Sequence, residues 1–186
     1  MSFLRSAVLY TAILAGANAA LADLDAAEAM REGDMKKLVF HSEPMEVSSG
    51  TFTDAEGTEY SLADWNGKYV LLNFWATWCA PCRKEMPALD ELQTQFKGDR
   101  FEVLTVATGR NPLPSIRRFF DEVEIEGLPI LLDPTQSFAR EMAVLGLPIT
   151  VLIDPKGREI ARMRGDADWA SDNAKAIVAT LIGSDG

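Results

Sequence analysis

Two cysteines and one histidine are all that this 186-residue chain offers a soft metal. Zinc takes four ligands, or three and a water, mainly sulfur and nitrogen. With no third cysteine and only a remote His41, half of a zinc site is the weaker reading of the thiols. Positive charge is scarce too: 18 Lys and Arg stand against 28 Asp and Glu, for a net charge of −10, and no basic cluster is visible. Phosphate backbones are bound by such clusters, so nucleic acid is excluded as a partner. The acidic surface serves solubility and tilts partner choice toward basic proteins. No apolar run reaches the ~20 residues of a membrane-spanning helix, and no repeat at solenoid spacing is present. What remains is ordinary globular composition, 47% hydrophobic and 25% charged. The length suits one domain with a sizeable core and is short for two.

The first 22 residues stand apart. Arg5 is their only charged side chain, residues 7–17 are apolar over the length of a signal h-region, and Ala20-Leu21-Ala22 offers a small-x-small cleavage site before Asp23. Few polar groups interrupt residues 8–24, so an uncleaved membrane anchor and a plain amphipathic N-terminus stay open beside a cleaved signal peptide. A cleaved signal peptide or an uncleaved anchor would each export the domain. Residues 23–43 are polar and read as a linker, with a frayed helix at 26–31. Residues 44–186 read as the folded domain.

Both cysteines fall in Cys79-Ala80-Pro81-Cys82, after an apolar run and before a helical pattern. Such a pair beside a βαβ pattern reads as a redox motif, and its thiols titrate below a free cysteine. A disulfide across two residues closes almost no loop and adds little stability. It is there to react. Cys79 stands where unpaired N–H groups and the helix dipole favour an anion, which makes it the attacking thiolate. Cys82, one turn on, is the resolving thiol. Glu85 follows Cys82 by three residues and shares its helix face. A carboxylate there can take and return the Cys82 proton, although an exposed helix glutamate accounts for the residue equally well. Pro81 falls in the first helical turn, where its missing N–H costs nothing. Pro87 removes a hydrogen bond to the Arg83 carbonyl and should kink the helix. Trp75 reads as a core residue, Trp78 as partly exposed beside the cysteines, and Arg83 and Lys84 as a solvated helix face.

The remaining pattern is regular. Residues 47–52 and 58–62 flank the turn cluster Asp54-Ala55-Glu56-Gly57 and suggest a hairpin. Residues 69–75 form a near-continuous apolar run, as for a strand buried on both faces. Met86, Leu89, Leu92 and Phe96 make one helical stripe. Residues 101–107 read as a second central strand, 115–123 as a helix, 130–132 as a short strand and 137–144 as a short helix. Strands at 150–153 and 159–164 are joined through Asp154-Pro155-Lys156-Gly157. Ala174, Ile177, Val178 and Leu181 mark a last amphipathic helix. A mixed α/β sheet with helices on both faces fits this order.

The stretch from Asn73 to Pro87, with its Trp78-Cys79-Ala80-Pro81-Cys82 core and Cys-x-x-Cys-x-x-Glu-x-Pro register, resembles the active-site segment of TlpA/ResA-like thioredoxins, exported thiol–disulfide oxidoreductases of bacteria. The resemblance runs from about residue 45 to 182. It implies a thioredoxin-like fold with an N-terminal β-hairpin extension, and a dithiol enzyme that needs no cofactor beyond Cys79 and Cys82. It implies that Glu85 is the acid serving Cys82, since Asn73 stands where thioredoxins proper carry a buried aspartate, and that Pro87 shapes the helix. The family's cis-proline corresponds to Pro148 rather than Pro129 of the duplicated Gly-Leu-Pro-Ile, because a strand and the Asp-Pro-Lys-Gly hairpin follow Pro148. Trp78, Ala80, Pro81, Leu147 and Pro148 are then the substrate-binding residues.

Nothing in Ala80-Pro81 can stabilise a thiolate, which favours a reductant over a strong oxidant. The resemblance also implies protein substrates such as apocytochrome c or a copper chaperone, a membrane thiol donor as electron source, and a monomer in the periplasm, soluble or tethered. Two other readings of the same fold are weaker. A Sco-like copper-delivery module needs cysteines spaced by three residues and a distal histidine. A peroxiredoxin-like peroxidase needs a threonine where Ala76 stands, three residues before Cys79.

Overall fold

The computed structural model describes residues 23–183; the signal or anchor expected at residues 1–22 lies outside them. The chain forms one eight-stranded mixed sheet. Its strands are β1 (Val39–Glu46), β2 (Thr51–Asp54), β3 (Glu59–Ser61), β4 (Tyr69–Trp75), β5 (Phe101–Thr108), β6 (Leu131–Asp133), β7 (Ile149–Ile153) and β8 (Arg158–Arg164), in the spatial order β1-β8-β7-β4-β5-β6-β2-β3. The helices are α1 (residues 23–29), α2 (Ala80–Phe96), α3 (Leu113–Glu122), α4 (Ser137–Glu141) and α5 (Asp172–Gly183). This is the thioredoxin-like mixed α/β architecture expected.

The centre of the sheet explains the apolar run at residues 69–75. β4 pairs parallel with β5 and antiparallel with β7, and all seven of its residues are buried. Because successive side chains point to opposite faces, the strand feeds two cores. Leu71 and Trp75 pack with Met86, Leu89 and Leu92 of α2, Phe119 of α3 and Ile177 of α5. Val70, Leu72 and Phe74 pack with Phe138 and Ala139 of α4 on the other side. The stripes read on α2 and α5 are the buried faces, with Phe96 half-buried at the end of α2.

The turn at residues 54–57 forms as expected. Asp54 Oδ1 accepts from Glu56 N and Thr58 N, and Gly57 takes φ +90°, a left-handed conformation glycine adopts without strain. The hairpin strands are shorter than read, since residues 47–50 lie outside them, and the pair extends the sheet beyond β6.

The N-terminal reading needs a correction. Residues 23–43 are not a linker. Helix α1, a 3₁₀ turn at Gly33–Lys37 and strand β1 all belong to the fold, and Ala27, Met35 and Leu38 are each at most 1% exposed. β1 is the edge strand, antiparallel to β8 with a register shift between Phe40 and Met45. His41 Nε2 sits 2.8 Å from Glu159 Oε1 across that pair, and Asn173 of α5 ties back to Glu32 N and the Met30 carbonyl. The buried positions are few and spread over three short elements, and β1 lacks a two-residue alternation. Periodicity therefore had nothing to register.

Candidate active site

Cys79 caps α2. The chain leaves β4 at Trp75, turns through Ala76 to Trp78, and enters the helix with Cys79 in an extended conformation. The Cys79 thiol is thus placed at the end of a helix whose first N–H groups lack intrahelical partners. Cys79 and Cys82 form a disulfide, and Cys79 Sγ accepts from Cys82 N at 3.3 Å. The pair is asymmetric. Cys79 retains 6% exposure while Cys82 is fully buried, so a partner reaches only the first sulfur. Ala80 and Pro81 are exposed beside it, and Trp78 is 65% exposed, a large apolar side chain left in solvent at the edge of the disulfide.

Beneath the pair lies a buried polar cluster. Glu85 is 2% exposed. Its Oε1 accepts from Asn73 Nδ2 at 2.8 Å, and its Oε2 accepts from Ala167 N at 3.1 Å and Trp169 Nε1 at 3.2 Å. Asn73 Nδ2 also reaches Thr150 Oγ1 at 2.9 Å, which links β4, β7 and α2. Burial lifts the Glu85 carboxyl from its ordinary 4.5 to about 7; the Asn73, Ala167 and Trp169 hydrogen bonds pull against it, and the Asp166 charge adds a further push upward. The exposed-glutamate account of Glu85 is therefore wrong. A carboxyl with that value is near half-protonated at neutral pH, where a general acid–base group works best.

Several partners of this cluster were not legible in the sequence. Asn73 was read only as a missing acid, yet its amide is the first hydrogen bond on Glu85. Ala167 and Trp169 lie more than eighty residues from Glu85, and no local pattern connects them. Asn111 was also missed. Its Oδ1 accepts from Thr77 N at 2.7 Å and its Nδ2 reaches the Thr108 and Gly109 carbonyls, so it ties the loop before Cys79 to the end of β5.

Pro148 sits at the same end of the sheet. Ile149 pairs with Phe74, so the loop before β7 and the loop after β4 emerge side by side. The Leu147–Pro148 peptide is cis, the sole cis bond among the described residues, and Pro129 is trans. Leu147 is half-buried, while Leu145 is 95% exposed. On α2, Lys84 is a solvated side chain as read. Arg83 is partly solvated, with its guanidinium 4.3 Å over the Phe119 ring. Trp75 is buried against Phe119 and Phe120. Helix α2 continues through Pro87, which is exposed, to Phe96. His41 is engaged with Glu159 on the β1–β8 edge, and among the described residues no group of three or more His, Cys, Asp or Glu is placed to hold a metal.

Residues 45–161 match the family model described as AhpC/TSA. The chain belongs to the AhpC/TSA family. Within it, this AhpC/TSA chain is 32% identical over 121 residues to the thiol-disulfide oxidoreductase ResA of Bacillus thuringiensis subsp. konkukian, covering 65% of this chain and 69% of that protein. It is 40% identical over 105 residues to ResA of Geobacillus kaustophilus, covering 56% and 59%. Among solved structures it is similar to a DsbF homologue from Corynebacterium diphtheriae, with a TM-score of 0.64 at 27% identity over 79% of this chain and 95% of that one. It is also similar to the pneumococcal exposed lipoprotein thioredoxin Etrx1 from Streptococcus pneumoniae, with a TM-score of 0.58 at 26% identity over 72% and 98%. With the Cys79–Cys82 disulfide at the head of α2, this family member is a thiol–disulfide oxidoreductase.

Proposed function

We propose that the chain is an exported dithiol reductant of protein disulfides. The observation that carries the direction is the sparse support of the Cys79 sulfur. Among the described residues its one hydrogen bond comes from Cys82 N, and Arg83 is turned onto Phe119 and Glu122 instead. A strong oxidant needs its reduced form stabilised, and here a buried carboxyl on the inner side works against a second negative charge.

In the reduced protein, the Cys79 thiolate attacks one sulfur of a partner disulfide. A mixed disulfide forms and the partner's first thiolate leaves. Cys82 then gives its proton to Glu85, attacks Cys79 Sγ, and expels the partner's second sulfur, which takes that proton back. Two electrons pass to the partner, and the protein is left with the Cys79–Cys82 disulfide. A thiol donor must reduce it again. Trp78, Ala80, Pro81, Leu147 and Pro148 form the face that receives the partner.

An extracytoplasmic site of action, with a membrane thiol donor and with apocytochrome c or a copper chaperone as substrate, is the setting we favour. The apolar N-terminal residues and the exposed lipoprotein among the similar structures support it. A Cys82→Ser variant expressed in the native host should hold the partner as a mixed disulfide on Cys79, and mass spectrometry of that adduct names the substrate. Equilibration with glutathione should give a potential below about −200 mV, on the scale where thioredoxin lies near −270 mV and DsbA near −120 mV. A value above about −150 mV on that scale makes the protein an oxidant and overturns the reading.

A further inference from the structure

Two depressions open at the end of the sheet that carries the disulfide. One, of about 380 Å³, lies between the loop before α2 and helix α3, with Trp78, Arg83, Ser115, Arg118 and Glu122 in its walls. The other, of about 260 Å³, is formed around the loop before β7 and includes Leu145, Pro148 and Arg164. Arg164 reaches this end because it pairs with Ile149, and Gly165 N donates to the Pro148 carbonyl.

The charges here run against those of the molecule. Five cations, Arg83, Lys84, Arg110, Arg118 and Arg164, lie at this end of the sheet, and the acids beside them take up two. Glu122 lies 3.6 Å from Arg83, and Asp166 lies 3.4 Å from Lys84. Arg118 and Arg164 are exposed, and their guanidinium groups make no ion pair or hydrogen bond among the described residues. Both stand in the depressions at the end of the sheet that carries the disulfide, in a chain with ten more acids than bases. The two most exposed large apolar side chains among the described residues, Leu145 and Trp78, stand in the same two depressions.

We infer that this rim docks a protein segment carrying acidic side chains beside its own cysteine pair. Trp78 and Leu145 cover apolar area on the partner, and Arg118 and Arg164 meet carboxylates on either side of the reacting sulfur. Arginine suits the task because its planar fork binds a carboxylate through two parallel hydrogen bonds. Net charge alone points the other way, toward basic partners. The local field at the reacting atom decides encounter, since charges beyond a Debye length are screened. Exposed pairs of this kind add little affinity; their effect is on the rate of productive encounter. The inference rests on the thiol–disulfide exchange proposed above and adds the chemical class of the partner.

The test uses two synthetic peptides with the same cysteine pair, one flanked by Asp and Glu and the other by Lys. Each is offered as a disulfide to the reduced protein and as a dithiol to the oxidised protein. At about 0.15 M ionic strength, where a Debye length of about 8 Å screens the net charge of the molecule, the acidic peptide should exchange about threefold faster, and the ratio should fall toward one at about 1 M salt. Arg118→Glu combined with Arg164→Glu should reverse the preference. Arg117→Glu makes the same change on the same helix, but faces a different depression beside Tyr60 and Trp65, and should keep the wild-type ratio. Equal rates for the two peptides at about 0.15 M ionic strength, or a ratio lost as fully in Arg117→Glu, overturn the inference. The rate ratio is read in either direction of exchange. A protein that only oxidises peptides thus sinks the reductant reading and leaves the docking inference to stand or fall on the ratio.

Discussion

Glu85 is the residue on which chemistry and stability meet. Its carboxyl titrates near 7 in the folded chain against 4.5 in an unsupported one. The folded state therefore binds more protons than the unfolded state between those values, and stability falls as pH rises through that window. The full stabilisation is present below about pH 4.5, and by about pH 7 most of a difference of roughly 3 kcal/mol has been lost. Glu85→Gln should flatten this part of the pH–stability profile in urea titrations, and an unchanged slope would assign it to another group. The substitution is tolerable for a local reason. Asn73 Oδ1 is buried and unpartnered, so rotation of the Asn73 amide lets it accept from the new side-chain N–H and from the Thr150 hydroxyl. The fold should survive while release of the mixed disulfide slows about a hundredfold, the low end of acid–base effects. Stopped-flow release rates that match wild type would remove Glu85 from the proton path.

At the scale of elements, the N-terminal arm carries the clearest expectation. Leu38 is 1% exposed where the 3₁₀ turn meets β1, and Met35 is buried one turn earlier. Leu38→Ala should cost about 2–5 kcal/mol, the range for truncating a buried leucine, as measured by denaturant unfolding. A linker residue would cost nothing. β1 also covers the edge of β8, which would otherwise expose unpaired backbone N–H and C=O groups. The expected hairpin at β2–β3 protects the opposite edge. The two additions lie at the two ends of the sheet, one visible through its Asp-Ala-Glu-Gly turn and the other through no pattern at all.

For the molecule as a whole, the disulfide and the fold are separable. The sheet is held by a core on each face, and the Cys79–Cys82 bridge closes a loop of only four residues. The entropy such a bridge removes from the unfolded chain amounts to at most about 2 kcal/mol. Cys79→Ser should therefore abolish reduction of insulin or of the natural partner while leaving a cooperative thermal transition close to that of the reduced wild type. Loss of the folded state in calorimetry would mean that the bridge is structural after all.

The amino-acid sequence by itself determined the strand and helix order beyond residue 50 and the redox pair, because both are written in local signals: apolar runs, a helical stripe and turn residues. The family resemblance carried by a motif of fifteen consecutive positions implied Pro148 over Pro129. Tertiary structure decided the rest. Glu85 became a buried acid only when Asn73, Ala167 and Trp169 met around it. Residues 23–43 became part of the sheet through contacts with β8 and α5. Arg118 and Arg164, forty-six positions apart in the chain, came to the same end of the sheet, Arg164 because β7 pairs with both β4 and β8 and Arg118 because α3 packs beside the loop before α2. The physical reason is the same in each case: burial and charge environment depend on which distant segments pack together, and no local period records that.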